Sequence, residues 1–127
     1  MTDFNSEHNR AVWFDIPVAD LDRAILFYRA VLAIGVHKER FPGGEFAVFD
    51  HAAGNGGCLV VKPAEVGPAG PLVYLNVNNR IRDAAVKAAE HGGIVEQPVH
   101  AIGPHGYRAV IRDSEGNRLA LHSTVDA

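Results

Sequence analysis

The sequence predicts an α+β fold made of two βαβββ modules, on three observations. The order strand, helix, strand, strand, strand runs twice along the chain, at an offset of about 60 residues. Each half carries one amphipathic helix and several short alternating strands, so neither half can bury its apolar surface alone. The length of 127 residues suits one domain, or two small halves that share a core. Two such halves build a curved, cup-shaped mixed sheet with the helices on its outer face. The side of the strands turned away from the helices then lines a cleft.

Residues 1–10 read as a loose polar lead-in, and residues 11–127 as a single domain, with module one over about 11–65 and module two over about 70–123. The run AVWFDIPV alternates: Phe14, Ile16 and Val18 point one way, Trp13, Asp15 and Pro17 the other. Pro17 has no N–H to give a sheet ladder, which places this strand near an edge. Asp20 is positioned to cap a helix whose apolar stripe is Leu21, Ala24, Ile25, Tyr28, Val31 and Leu32, and Gly35 ends it. GVHKE, EFAVFD and CLVVK follow as short strands separated by PGG and AAGNGG. Val66 to Gly70 reads as a linker, after which LVYLNV restarts the pattern with Asn79 as a cap candidate. Ile81, Ala84, Ala85 and Ala88 make the second helix stripe, HGG ends it, and IVEQPV, GYRAVIRD and NRLALHS supply three more strands.

Composition excludes several classes of function. The chain is 47% hydrophobic and 21% charged with net charge −3, so it lacks the concentrated basic face that nucleic acid requires. A single cysteine, Cys58, excludes an intrachain disulfide and any zinc site built from several thiolates; in GGCLVVK it reads as a small buried hydrophobe. The polar start is not a signal peptide, and no apolar stretch approaches membrane-spanning length. The expectation is a soluble cytoplasmic protein with no nucleic-acid or membrane partner.

Specific residues carry a family resemblance. IPVADLDRAILFYRAVL, with Val18, Asp20, Leu21, Phe27 and Tyr28, resembles the first strand and helix of the vicinal oxygen chelate superfamily. That is the glyoxalase, bleomycin-resistance and dioxygenase group. YLNVNNRIRDAAVKAAEHGGIV resembles the strand and helix of that family's second module, and RDSEGNRLALHS its closing hairpin. The resemblance covers about Val12 to His122. It implies paired βαβββ modules around a cup-shaped site, a homodimer, and in many members a divalent metal held by one His, Gln or Glu from each of four strands. Such a metal takes two adjacent substrate oxygens and stabilises an enolate-like charge.

The ligand positions the resemblance implies fall on residues that do not suit a metal. The first lands on Trp13, or at nearest Asp15; the second lies in CLVVK, which has no acid; the third is Leu72; the last is Ala120. A one-residue slip in register offers Val60, Val61, Val73, Leu119 and Leu121, none of which binds a cation. The expectation is a cup with no metal and no other cofactor, and with neither glyoxalase I isomerisation nor extradiol cleavage.

What remains on the cup-facing register is Trp13, Asp15 and Pro17, then Tyr74 and Asn76, then Arg118 and His122. The loop IGPHGYR adds His105, Tyr107 and Arg108. This aromatic and polar set suits a small organic ligand held by stacking and a few hydrogen bonds. Trp13, Asp15, Tyr74, Asn76, His105, Tyr107, Arg118 and His122 are the binding candidates. His122 shares the face of Ala120, and with Asp15 across the sheet as an orienting carboxylate it is the candidate general base; His105 sits in a loop able to close over a ligand. The plainer alternatives stay open: His122 as a surface strand end, His105 as a solvent loop, Asp15 paired with Arg108 or Arg118. His37, His51, His91 and His100 read as surface positions. Two functions fit: a metal-free binding protein of the antibiotic-sequestration type, with Trp13 and Tyr74 as stacking surfaces, or a metal-independent glyoxalase-like enzyme using Asp15, His105 and His122.

Overall fold

The computed structural model describes residues 8–127, so the polar lead-in expected over residues 1–10 falls largely outside the described residues. The first module comprises β1 (Asp15–Val18), α1 (Leu21–Leu32), β2 (Val36–Phe41), β3 (Gly44–Phe49) and β4 (Cys58–Val61). The second comprises β5 (Tyr74–Asn76), α2 (Ile81–Glu90), β6 (Ile94–Ala101), β7 (Tyr107–Arg112) and β8 (Arg118–Ser123). The strands form two four-stranded mixed sheets, ordered β1-β4-β3-β2 and β5-β8-β7-β6. β1 runs parallel to β4 and β5 parallel to β8, while the other neighbours are antiparallel. This is the doubled βαβββ, α+β architecture the sequence predicts.

The helix ends show which local signals held. Asp20 Oδ1 accepts from the Arg23 N–H at 3.1 Å, satisfying one of the unpaired donors at the start of α1. The helix closes earlier than Gly35: Ala33 takes the left-handed position at φ 56° and donates its N–H to the Arg29 carbonyl. Asn79 does not cap α2. It sits at φ 67°, its N–H bonds Ser123 Oγ, and Arg80 precedes the helix with no side-chain cap. No helix among the described residues is long and apolar enough to cross a membrane.

One hydrophobic cluster spans both modules. Phe27, Tyr28 and Val31 of α1 and Ile81, Ala84 and Ala88 of α2 are fully buried against the inner strand faces, among them Leu59, Ile111 and Leu121. Polar bonds then lock one module to the other. Arg80 donates to the Val31 carbonyl at 2.5 Å, bringing a positive charge to the unsatisfied C-terminal end of α1, and pairs with Asp83 at 2.6 Å. From the turn between β7 and β8, Asn117 Nδ2 donates to the Pro17 carbonyl at 2.7 Å. In the same turn Glu115, its side chain fully buried, accepts two bonds from Arg23, at 2.7 and 2.9 Å. With the inner strand faces committed to this core, polar side chains of the sheets are left on the faces turned away from the helices.

Candidate functional site

On the open face of the second sheet, register sets four polar residues in a row across all four strands. His100 of β6 lies opposite Arg108 of β7, Arg108 opposite His122 of β8, and His122 opposite Asn76 of β5. The adjacent row brings Gln97, Val110, Ala120 and Tyr74 side by side, and Arg112 faces Arg118 beyond it. Val110 and Ala120 are buried although they belong to the open face, whereas Tyr74 stands 47% exposed beside them. The result is an apolar floor with a polar row along one side.

Hydrogen bonds fix the row. A carbonyl oxygen only accepts, so the 2.8 Å contact between His100 Nδ1 and the Pro98 carbonyl puts the ring proton on Nδ1. His100 Nε2 then carries a lone pair and accepts from Arg108 Nε at 3.2 Å. A terminal nitrogen of Arg108 donates to the Tyr74 hydroxyl at 2.8 Å. The Tyr74 and His122 rings lie 6.4 Å apart between centroids. His122 Nε2 meets the His105 carbonyl at 2.7 Å, and by the same reasoning Nε2 carries the proton, so in the neutral ring Nδ1 is the free acceptor. Gly106, at φ 96°, lets the loop turn back: a Cβ there would stand 2.5 Å from the Ser123 carbonyl oxygen.

The open face of the first sheet is chemically different. Asp15 and Cys58 are register partners, and the thiol donates to Asp15 Oδ1 at 3.1 Å. Burial, followed by that bond, pushes the Cys58 thiol up to about 11, a bond from the Trp13 side chain opposing them, so the sulfur is a protonated donor at neutral pH. Trp13 precedes β1 and meets His51 edge-on at 5.8 Å. A cavity of about 670 Å³ opens beside Asp15, Phe41, Phe46, Cys58 and Val60, and one of about 360 Å³ lies between Asp15, Pro17, Glu65 and Arg118. Tyr74 and Asn76 border a third, of about 640 Å³, with Phe14 and His51.

The structure thus gathers Tyr74, Asn76, Arg118 and His122 on one face, as the alternation implies. Three expectations change. Asp15 accepts from Cys58, and among the described residues no hydrogen bond or ion pair joins it to His122, Arg108 or Arg118. Tyr107 pairs with Ser123 on the helix-facing side of β7 and packs against the core, away from the open face. His105 reaches the row through its backbone carbonyl. Sequence reasoning missed His100, which it placed on the surface, and gave Arg108 only a marginal place. Two irregularities in the pairing of β6, between Val95 and Gln97 and between Gln97 and His100, break the alternation that would have revealed His100.

The donor set does not fit a divalent metal. Among the described residues, no group of three or more His, Cys, Asp and Glu side chains converges. Ala120, the expected ligand position on β8, lies on the floor between Val110 and Tyr74, and Cys58 and Val60 occupy the open face of β4.

Comparison with known proteins identifies the family and the fold. The sequence pattern of the Glyoxalase/Bleomycin resistance protein/Dioxygenase superfamily matches residues 10–121, and the chain belongs to that family. No curated protein matches significantly. Among solved structures, a glyoxalase/bleomycin resistance protein from Albidiferax ferrireducens superposes with TM-score 0.72 at 17% identity, covering 91% of this chain and 98% of its own. An antibiotic binding protein from a Streptomyces species gives 0.66 at 21% identity, covering 94% and 98%. A genomically encoded fosfomycin resistance protein from Listeria monocytogenes gives 0.67 at 12% identity, covering 91% and 93%. At these identities the likeness is one of fold.

Proposed function

We propose that this chain is a small-molecule binding protein that takes an organic ligand, without a metal or other cofactor, on the open face of the second sheet. The observation that carries the reading is the tethered row of His100, Arg108 and His122 beside Tyr74, set against the floor of Val110 and Ala120. Side chains already held by hydrogen bonds lose little freedom when a ligand docks, and an exposed tyrosine ring offers a stacking surface. Asn76 and Arg118 lie on the same face and extend the contact surface. The antibiotic-binding relative of the same fold lends the reading support by analogy.

A homodimer completes the proposal. Asp15 and Trp13 belong to the first module, and the exposed apolar residues Phe41 and Tyr74 lie on the open faces of the two sheets. A second copy that set the first-sheet face of one chain against the second-sheet face of the other would close the cup and cover that apolar surface. The enzymatic alternative rests on His122, whose Nδ1 is left able to take a proton, although Asp15 does not stand behind it.

A thermal-shift screen of aromatic antibiotics, 2-oxo thiol adducts and catechols, with and without divalent metals, tests the reading. A ligand that binds only the native state raises the melting temperature. The expected result is a stabilising ligand whose effect survives a chelator; stabilisation seen only with a divalent metal contradicts it.

A further inference from the structure

The ligand class follows from a count of donors and acceptors on that face. Arg108 uses two of its five N–H groups, one toward His100 and one toward the Tyr74 hydroxyl, and both partners are neutral. Elsewhere most arginines face a carboxylate, Arg23, Arg80, Arg82 and Arg112 at 2.6–2.9 Å and Arg40 at 3.1 Å, while Arg29, near the end of α1, is spent on the Val36 carbonyl. Arg108 and Arg118 have no carboxylate partner among the described residues, in a chain of net charge −3 that has acids to spare. Arg118 lies two residues before Ala120, on the far side of Tyr74 from Arg108.

The neighbours point the same way. The Tyr74 oxygen accepts from Arg108, so its own proton is left to donate outward. Asn76 spends its carbonyl oxygen on the Asn78 N–H, which leaves its amide N–H groups unspent on the same face. Against these donors the face offers two neutral acceptors, His122 Nδ1 and the amide oxygen of Gln97, and Gln97 carries amide donors of its own. A partly buried guanidinium flanked by neutral groups, with further donors beside it, is arranged for negatively charged oxygen, where charge-assisted bonds are roughly twice as strong as neutral ones.

We propose that the second sheet recognises an organic oxyanion, a carboxylate or phosphate group seated against Arg108 and Tyr74, with Asn76 and Arg118 at its sides. This rests on the ligand-binding reading above and narrows it.

The test is a ¹H–¹⁵N NMR titration of the full chain, including arginine Nε signals, with benzoate, its neutral isostere benzamide, benzylamine and inorganic phosphate. The expected result is that benzoate shifts the Arg108 Nε, Tyr74 and Asn76 signals with an affinity about tenfold or more above benzamide, and that phosphate competes with it. Arg108→Met is expected to erase that preference, weakening benzoate far more than benzamide. If that variant does not fold, the comparison of benzoate with benzamide on the native protein decides. Equal or tighter binding of benzamide or benzylamine at these residues overturns the oxyanion assignment while the ligand face stands, as does phosphate that fails to compete. If no probe moves any of these signals, both readings fall.

Discussion

The Tyr28 hydroxyl of α1 donates to Asp113 Oδ2 at 2.5 Å, an entirely buried bond between residues 85 positions apart that joins the first module to the closing turn of the second. The same carboxylate accepts from the backbone N–H groups of Glu115 and Asn117 and from the Asn117 amide, so it organises the turn that precedes β8. Burial, then the Asp113 charge, pushes the Tyr28 hydroxyl well above its ordinary range, and it stays a donor at physiological pH. Tyr28→Phe removes the one donor that α1 gives this carboxylate. The expected cost is about 1–3 kcal/mol in a urea titration, with the fold retained. An unchanged midpoint would show that the bond contributes nothing net.

Glu115 makes stability depend on acid. Burial favours its neutral form, but the bonds from Arg23, the Asp20 N–H, the Ser114 hydroxyl and the Ala19 N–H outweigh burial and hold the carboxyl down to about 2. A folded-state value below the unfolded one adds stability that is complete above about 4.5 and disappears as pH falls toward 2. Because the Arg23 side chain is half exposed, solvent screening reduces the effect to about 1–2 kcal/mol. Denaturant melts across this window should show that slope in the native chain and lose it in Glu115→Gln. A slope of equal size in the variant would assign it to other carboxylates.

Cys58 is expected to resist alkylation. A thiol raised to about 11 is almost wholly protonated at pH 8, and the thiolate is the nucleophile. The iodoacetamide rate on the native protein should still be climbing at pH 10, and Asp15→Ala, which removes the acceptor, should speed it at every pH below that. A plateau reached near pH 9 in the native protein would contradict the raised thiol, and an unchanged rate in Asp15→Ala would contradict its pairing with Asp15.

Gly106 connects loop geometry to the ligand face. An alanine there would be strained by the positive φ and would strike the Ser123 carbonyl, moving the His105 carbonyl that holds His122. Gly106→Ala is expected to cost about 1–3 kcal/mol and to shift the His122 ring signals in NMR spectra. Unshifted His122 signals would mean that the loop does not position the ring.

The fold was legible because its signals are local and repeated: two amphipathic helix stripes, a capping aspartate and alternating strands are each readable within a few residues. Within β8 the period of two correctly set Arg118, Ala120 and His122 on one face. The site was less legible because its pairings are long-range. Only parallel pairing of β1 with β4 reveals Cys58 as the partner of Asp15, and the helix-facing position of Tyr107 depends on its pairing with Ser123. Irregular pairing hid His100, and β1 begins at Asp15, so alternation could not orient Trp13.

The central claim, that the open face of the second sheet is the ligand site, is tested most directly by calorimetric titration of a ligand found in the thermal-shift screen. Native protein is compared with Tyr74→Ala, His122→Ala and, as a remote control, Arg40→Ala on exposed β2. The account predicts that affinity falls about tenfold or more in the first two variants and is unchanged in the third. Native-like affinity in both Tyr74→Ala and His122→Ala would contradict it.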